Sequence, residues 1–117
     1  MRKEVIGNAT LYLGDCLPFM RSCADGQFDV AIVDPPYAVG AKTIHPNQKP
    51  VRLYEWLLKT YCQAGQTILD THLGSGSTAI ATNSLGFALT ATELHEGYYL
   101  RSLERIENAK RQERLFA

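Results

Sequence analysis

The clearest indication of the fold is the segment Thr67-Ile68-Leu69-Asp70-Thr71-His72-Leu73-Gly74-Ser75-Gly76-Ser77. Its first three residues form a short β-rich run, which ends at an acidic residue and a turn with two glycines. Glycine lets the backbone approach a ligand closely, because it carries no Cβ atom. Ser77 to Leu85 then has the pattern of a helix that ends at Gly86. The segment therefore predicts a strand, a glycine-rich turn and a helix N-terminus.

A second acidic residue follows at the end of the next predicted strand. Phe87 to Thr92 is β-rich, and Glu93 stands at its end. A carboxylate in this place can accept hydrogen bonds from ribose hydroxyls. The pattern fits a nucleoside cofactor site in a doubly wound sheet, without separating a dinucleotide from S-adenosylmethionine. A glycine-rich turn that binds no ligand is the alternative interpretation.

The rest of the chain also alternates strands with helices. Ala9 to Leu13 and Phe28 to Val33 predict two further strands, the second apolar enough to be buried on both faces. Helices are expected at Leu17 to Cys23, Val51 to Cys62 and Glu96 to about Arg111. This order predicts an α/β fold with a Rossmann-like parallel sheet of about four strands and flanking helices. Residues 1–117 are expected to form a single domain.

The core-facing side of two helices can be predicted from apolar spacing. In the helix that begins at Val51, Leu53, Trp56, Leu57 and Tyr61 lie on one face. In the last helix, the expected core stripe consists of Tyr99, Leu103 and Ile106.

The strand that ends at Val33 leads into Asp34-Pro35-Pro36-Tyr37. Two prolines end the ladder pairing, stiffen the turn and leave carbonyl groups free. An exocyclic amine reacts poorly because its lone pair is conjugated into the ring. A carboxylate and a backbone carbonyl that accept its two N–H bonds would localise that lone pair, and a tyrosine can stack on a flipped-out base. A proline-terminated strand with a surface tyrosine is the alternative.

Composition and charge narrow the class of protein. Of the 117 residues, 45% are hydrophobic and 21% are charged, as in ordinary globular proteins. No apolar run approaches the ~20 residues of a membrane helix, and no signal peptide is evident, so a cytoplasmic location is expected. Twelve basic residues balance twelve acidic ones, so the chain alone should bind DNA weakly. Three cysteines without a CxxC pair, and three histidines without ligand spacing, predict neither a disulfide framework nor a metal site.

Five segments resemble those of S-adenosylmethionine-dependent DNA adenine-N6 methyltransferases of the β-group, the prokaryotic and phage type. Residues 34–37 resemble their Asp-Pro-Pro-Tyr catalytic motif, and residues 70–77 resemble their cofactor loop. His45-Pro46-Asn47-Gln48-Lys49-Pro50 resembles their His-Pro-Thr-Gln-Lys-Pro segment. Residues 91–99 and 11–16 resemble the strand that holds the ribose and the N-terminal strand near the adenine. The segments cover nearly the whole chain, in the order of that group.

The resemblance implies a role for each matching residue. Asp34 and Pro35 would bind the target amine, Tyr37 would stack on the base, and Asp15 would lie near the purine of the cofactor. The implied catalytic residues are Asp34, Pro35, Pro36 and Tyr37. The residues implied to bind S-adenosylmethionine are Asp15, Lys49, Asp70, His72, Gly74, Ser75, Gly76 and Glu93.

The chain departs from this family in length and in several residues. Only seven residues, Ala38 to Ile44, stand where the family has its remaining strands and its target-recognition region. A strongly shortened methyltransferase is therefore expected, without sequence-specific DNA recognition. Thr71-His72 replaces the usual Pro-Phe, Asn47 replaces threonine and His95 replaces a common acidic residue. These substitutions are expected to weaken cofactor binding.

The family order of strands predicts an exposed apolar edge. It places the Asp15 strand first, followed by the Glu93, Asp70 and Asp34 strands, so that Val30, Ile32 and Val33 would lie at the edge. Proteins cover or pair such edges, so a homo-oligomer or a covering partner is expected there. At the C-terminus, residues 112–116 resemble the short peptides that dock into bacterial sliding clamps, the alternative being an apolar tail that packs the last helix.

Three functions remain open from the sequence. The first is methylation of the N6 amine of adenine in DNA, with a dimer or a partner supplying the grip on DNA. The second is a catalytically inactive remnant that binds a cofactor or a partner. The third is methylation of another planar nitrogen, such as cytosine N4, an RNA base or a protein glutamine. Asp34 favours adenine, because the related enzymes commonly have serine or asparagine there.

Overall fold

A computed structural model of the chain describes residues 1–34 and 49–116. Three of the implied catalytic residues, Pro35, Pro36 and Tyr37, lie outside this range, as do residues 45–48 of the His-Pro-Asn-Gln-Lys-Pro segment.

Five strands form one sheet. They are β1 (Arg2–Ile6), β2 (Ala9–Leu13), β3 (Val30–Ile32), β4 (Thr67–Asp70) and β5 (Ala88–Glu93). Their spatial order is β1-β2-β5-β4-β3, and all neighbours are parallel except β1 and β2. The α/β fold class and the order of the four expected strands are confirmed.

Four helices connect or follow the strands. They are α1 (Cys16–Ser22), α2 (Val51–Tyr61), α3 (Ser77–Leu85) and α4 (Glu96–Phe116). The expected bounds of α3 match those observed, because Gly76 and Gly86 adopt left-handed backbone angles on either side of it. Helix α4 continues about five residues beyond the expected end near Arg111.

The first strand, β1, was not expected from the sequence. It pairs antiparallel with β2 through a tight turn at Gly7 and Asn8, and Gly7 has a φ of 61°. The Asn83 side chain of α3 holds this turn, since it accepts a hydrogen bond from the Asn8 amide at 2.8 Å and donates one to the Ile6 carbonyl at 3.2 Å. Charged residues fill the first half of β1 and mask its β pattern.

The core lies between the sheet and α2, α3 and α4. Leu11, Ile68 and Leu89 of the sheet are almost completely buried, as are Tyr99 and Ile106 of α4. The Tyr99 hydroxyl donates to the Leu11 carbonyl at 2.8 Å and ties α4 to β2. By contrast, α1 contains no buried residue. The hydrophobic contacts that hold the fold are therefore concentrated on the side of the three longer helices.

The expected core face of α2 is wrong. Tyr54 and Leu58 are the buried residues of this helix, while Leu53, Trp56 and Tyr61 are 40%, 57% and 69% exposed. The buried pair packs toward α3, where small side chains such as Ala79 and Ala81 allow close approach. The larger apolar side chains remain on the outer side of α2.

None of the helices within residues 1–34 and 49–116 has the length and apolar character needed to cross a membrane.

Candidate active site

Three acidic residues meet at one edge of the sheet because three parallel strands end there. Ile32 pairs with Asp70 across β3 and β4, and Asp70 pairs with Ala91 across β4 and β5. Asp34 follows the end of β3, Asp70 ends β4 and Glu93 ends β5. Ligands of open α/β sheets bind at this edge, outside the carboxyl ends of the strands.

The turn after β4 is a glycine cradle that fits a nucleoside ligand. Gly74 and Gly76 have φ values of 58° and 88°, which other residues adopt only with strain. A Cβ atom on Gly74 would meet nothing nearer than the His72 carbonyl at 3.9 Å, so the backbone there faces open space. A Cβ atom on Gly76 would lie 3.0 Å from Ile106, because α4 packs directly beneath that glycine.

Glu93 connects this cradle to the end of β5. One carboxylate oxygen accepts a hydrogen bond from the Gly74 amide at 2.8 Å, and the other accepts one from the His95 amide at 2.9 Å. A carboxylate oxygen can accept two hydrogen bonds, so each retains capacity for a ligand hydroxyl. Glu93 thereby fixes the turn while it keeps the acceptor atoms that a ribose needs.

Asp70 is buried beneath the turn. Its two carboxylate oxygens accept hydrogen bonds from the Thr78 hydroxyl at 2.5 Å and from the His72 amide at 3.0 Å. Burial raises the pKa of Asp70 to about 6, and these two hydrogen bonds oppose the rise. Asp70 is only 1% exposed, so it shapes the turn from below.

Asp34 lies beside Lys49, although the two are far apart in the sequence. The Lys49 ammonium is 3.9 Å from a carboxylate oxygen of Asp34, and both side chains are partly exposed. An ion pair of this kind contributes little to stability. Its value is geometric, since it places Asp34 next to the residue that leads into α2.

Tyr54 lies under these two carboxylates, and sequence spacing did not reveal this role. Burial is the main cause that raises the pKa of Tyr54 to about 12, and the charges of Asp70 and Asp34 add to it. The phenol is therefore neutral at physiological pH. It forms part of the wall between the ends of β3 and β4.

Two more residues beside the turn could not be recognised from sequence spacing. The Arg105 guanidinium of α4 donates to the hydroxyl of Ser77 at 2.7 Å and to the carbonyl of Ser75 at 3.1 Å. The Ser77 hydroxyl donates to the Lys49 carbonyl at 2.6 Å. These contacts join residues that lie 28 positions apart or more, which no local pattern reveals.

The remaining implied site residues lie around the same edge. Asp15 follows β2, the neighbour of β5, and its carboxylate accepts a hydrogen bond from the Leu17 amide at 2.9 Å as the N-cap of α1. The adjacent Gly14 amide donates to the Glu93 carbonyl at 2.8 Å. The His72 ring is hydrogen-bonded to the Thr71 hydroxyl at 2.8 Å, where the expected family residues would be Pro-Phe.

Metal ligation finds no support in the described ranges. Within residues 1–34 and 49–116, no three His, Cys, Asp or Glu side chains are grouped so that they could hold a metal ion. In the same part of the chain, the thiols of Cys16, Cys23 and Cys62 are free.

The family follows from comparison with known proteins. A family model described as DNA methylase, for the N6 and N4 type, matches residues 38–104, which is more than half of the chain. The chain belongs to this DNA methylase family. The match begins just after the Asp-Pro-Pro-Tyr motif and includes the glycine turn and Glu93.

Individual members of the DNA methylase family resemble parts of the chain. Escherichia coli (strain K12) YubD, named as a putative methylase, is 31% identical over 67 residues, which make up 57% of this chain and 30% of YubD. The crystal structure of the M1.HpyAVI–SAM complex is 30% identical with a TM-score of 0.50, over 55% of this chain and 32% of that one. A DNA modification methylase of Thermus thermophilus, complexed with S-adenosyl-L-methionine, is 30% identical with a TM-score of 0.49, over 51% and 25%. The chain thus spans about a third of the length of the relatives it matches.

The buried Asp70 predicts a pH-dependent stability. Its pKa near 6 in the folded chain exceeds the ordinary value of 3.8, so the folded state binds more protons between these pH values. Stability from this group therefore falls as the pH rises through that window, by up to about 3 kcal/mol for a shift of about two units. Urea unfolding of the wild type and of Asp70→Asn, at about pH 4.5 and about pH 7, measures the effect.

The asparagine variant does not ionise, so the wild type should lose stability relative to it as the pH rises. Asp25→Asn, in the exposed loop after α1, is the control and should keep the wild-type pH dependence. An equal pH dependence in the wild type and Asp70→Asn would contradict the assignment.

Proposed function

We propose that this chain transfers a methyl group from S-adenosylmethionine to the exocyclic N6 amine of adenine in DNA. The observation that carries the proposal is the meeting of Asp34 with the Gly74–Gly76 cradle and Glu93 at the ends of three adjacent parallel strands. A methyl donor and an acceptor amine must come within reach of each other, and this edge offers a group for each.

The cradle side fits the cofactor. Glu93 would accept hydrogen bonds from the ribose hydroxyls, since each of its oxygens holds one backbone amide and can accept a second donor. Leu94, next to it, is 72% exposed and offers an apolar face to the adenine ring of the cofactor. Asp15 follows the neighbouring strand at the same end. The M1.HpyAVI–SAM complex supports this choice of cofactor by analogy.

The Asp34 side fits the acceptor. The cofactor supplies an activated methyl group. The Asp34 carboxylate would accept an N–H of the amine and draw its lone pair out of conjugation, aimed at that methyl group. Lys49 beside it would keep the carboxylate ionised and oriented. By resemblance, the Pro35 carbonyl would accept the second N–H and Tyr37 would stack on the base. As the new nitrogen–carbon bond forms, the amine releases one proton to solvent.

The choice of adenine rests on Asp34. The matched family includes both N6 and N4 methylases, so family membership alone is equally compatible with cytosine N4. The aspartate in the first position of the motif favours adenine, where the related amine methylases commonly have serine or asparagine. Identification of the modified base separates these substrates.

Methyl transfer tests the proposal directly. The chain is incubated with S-adenosylmethionine labelled in its methyl group and with unmethylated genomic DNA, and the product nucleosides are identified by mass spectrometry. We expect N6-methyladenine, and a loss of at least about 100-fold in Asp34→Ala, because the lone pair of the amine is then no longer oriented. Asp25→Ala, which changes an exposed aspartate away from this edge, should retain the wild-type rate.

Two results would contradict this function. N4-methylcytosine as the product would replace the substrate while leaving the site intact. Cofactor binding without transfer to DNA, RNA or protein would favour the inactive cofactor-binding module.

DNA binding by the chain alone should be weak, because its net charge is zero. Phosphate contacts from lysine and arginine supply most non-specific DNA affinity. A second protein surface would therefore have to contribute to the grip on DNA.

The free edge of β3 offers such a surface for a second copy. β3 pairs with β4 on one side, and none of the described strands pairs with its other side. Val33 next to it is 61% exposed, and the outer face of α2 borders a groove of about 210 Å³ whose lining includes Val30, Ile32 and Tyr61. The opposite edge, β1, carries charged side chains in its first half and is protected by them. Two copies joined through β3 would continue the sheet and cover both grooves.

Sedimentation velocity at micromolar concentration tests this association. We expect a dimer for the wild type and a monomer for Val33→Lys, because a charge at the edge opposes strand pairing. Val5→Lys is the matched control, since Val5 is 60% exposed but lies on the opposite edge strand, and it should remain dimeric. A monomeric wild type, or a dimer in Val33→Lys, would contradict the proposal.

The end of α4 supports a contact with a sliding clamp. Residues 112–116 lie in this helix, and Leu115 is 78% exposed, so it does not act as an apolar tail that packs the helix. Its exposed side chain could enter a pocket on a partner.

A further inference from the structure

Arg105 joins α4 to the cofactor turn in a way that the proposed chemistry does not yet use. One guanidinium nitrogen lies 3.1 Å from the Ser75 carbonyl and 2.7 Å from the Ser77 hydroxyl, so its contacts bracket Gly76 on both sides. The side chain is half-buried, and burial lowers the pKa of the guanidinium. Desolvating a cation costs free energy unless hydrogen bonds compensate, so this guanidinium is held in place by its serine partners.

The contacts of Ser77 continue the connection toward the other half of the site. Its hydroxyl accepts a hydrogen bond from Arg105 and donates one to the Lys49 carbonyl at 2.6 Å. The hydroxyl thus joins α4 through α3 to the residue before the N-cap of α2. We call this series of three residues, Arg105, Ser77 and Lys49, the relay.

The Lys49 carbonyl lies at the entry of the chain into α2. Pro50 is the N-cap of α2 and, within the described part of the chain, makes no side-chain capping hydrogen bond. The Ser77 hydroxyl therefore fixes this entry from outside the helix. From the same residue, the Lys49 ammonium extends to within 3.9 Å of Asp34.

We propose that Arg105 is a positioning residue, which acts through Ser77 to hold Lys49 beside Asp34 while it fixes the glycine turn. Its two sets of contacts lock the methyl-donor side and the acceptor side of the site to one rigid helix. The inference rests on the proposed function for its catalytic meaning, but the mechanical connection exists in the free chain and can be tested there.

Arginine suits this role better than lysine. Its planar guanidinium presents several N–H groups in fixed directions, so it can bond two acceptors at once. A lysine ammonium is a flexible point charge and would keep one of these contacts at most. Arg105→Lys should therefore rescue the loss seen in Arg105→Met only in part.

Hydrogen exchange of the free chain is the first test, because it needs neither cofactor nor DNA. In Arg105→Met and in Ser77→Ala, the amides of the first turn of α2, including Leu53, which donates to Pro50, should exchange about fivefold faster than in the wild type. The double variant should be no faster than the quicker single variant, since both remove the same connection.

Arg111→Met is the matched control, because it makes the same change at an exposed position of the same helix. It should leave the exchange of α2 unchanged. Unchanged exchange of α2 in Ser77→Ala, or equal acceleration in Arg111→Met, would overturn the inference. Ser77→Ala keeps the charge of Arg105, so it carries the test even where Arg105→Met reduces the yield of folded protein.

Steady-state methylation kinetics give the second test. Loss of the relay should lower kcat by roughly tenfold and raise KM for S-adenosylmethionine, because both sides of the site are loosened. A purely structural role would lower the amount of folded enzyme and leave KM unchanged. A wild type that does not methylate would remove the proposed function, while the exchange experiment would still decide on the relay.

Discussion

The parallel pairing of β4 with β3 on one side and β5 on the other is the constraint on which the site depends. This pairing fixes the register of Ile32, Asp70 and Ala91, and it places the two turns that follow β3 and β4 at the same edge. A slip of one residue would turn Asp70 from its buried place beneath the glycine turn to the opposite face of the sheet. The hydrophobic burial of Ile68 and Leu89 against the helices opposes such a slip.

Much of this arrangement is encoded locally, and that part could be predicted. The apolar strands, the glycines on both sides of α3 and the acidic residues at strand ends are signals within a few residues of one another. The parallel order then follows from the alternation of strands and helices. The hairpin turn at Gly7 and Asn8 was also a local signal, although the charges of β1 obscured it.

Other features depend on which element packs against which, and the sequence alone does not contain that information in readable form. The core face of α2 is set by the small residues of α3 rather than by its own most apolar stripe. Arg105 and Tyr54 enter the site only through tertiary packing, from α4 and α2. The same packing leaves large apolar side chains outside, next to the free edge of β3. Site residues that act through packing are thus harder to find than those that follow a strand.

Binding of S-adenosylmethionine at this edge of the sheet, with the acceptor group alongside, is the central claim. Isothermal titration calorimetry of the free chain with S-adenosylmethionine tests it most directly, with Glu93→Ala for comparison. We predict saturable heat at one site per chain in the wild type. In Glu93→Ala we predict a large loss of affinity, since this residue both anchors the turn and offers acceptors to the ribose. No heat in the wild type at millimolar cofactor, or equal binding by both proteins, would contradict the claim.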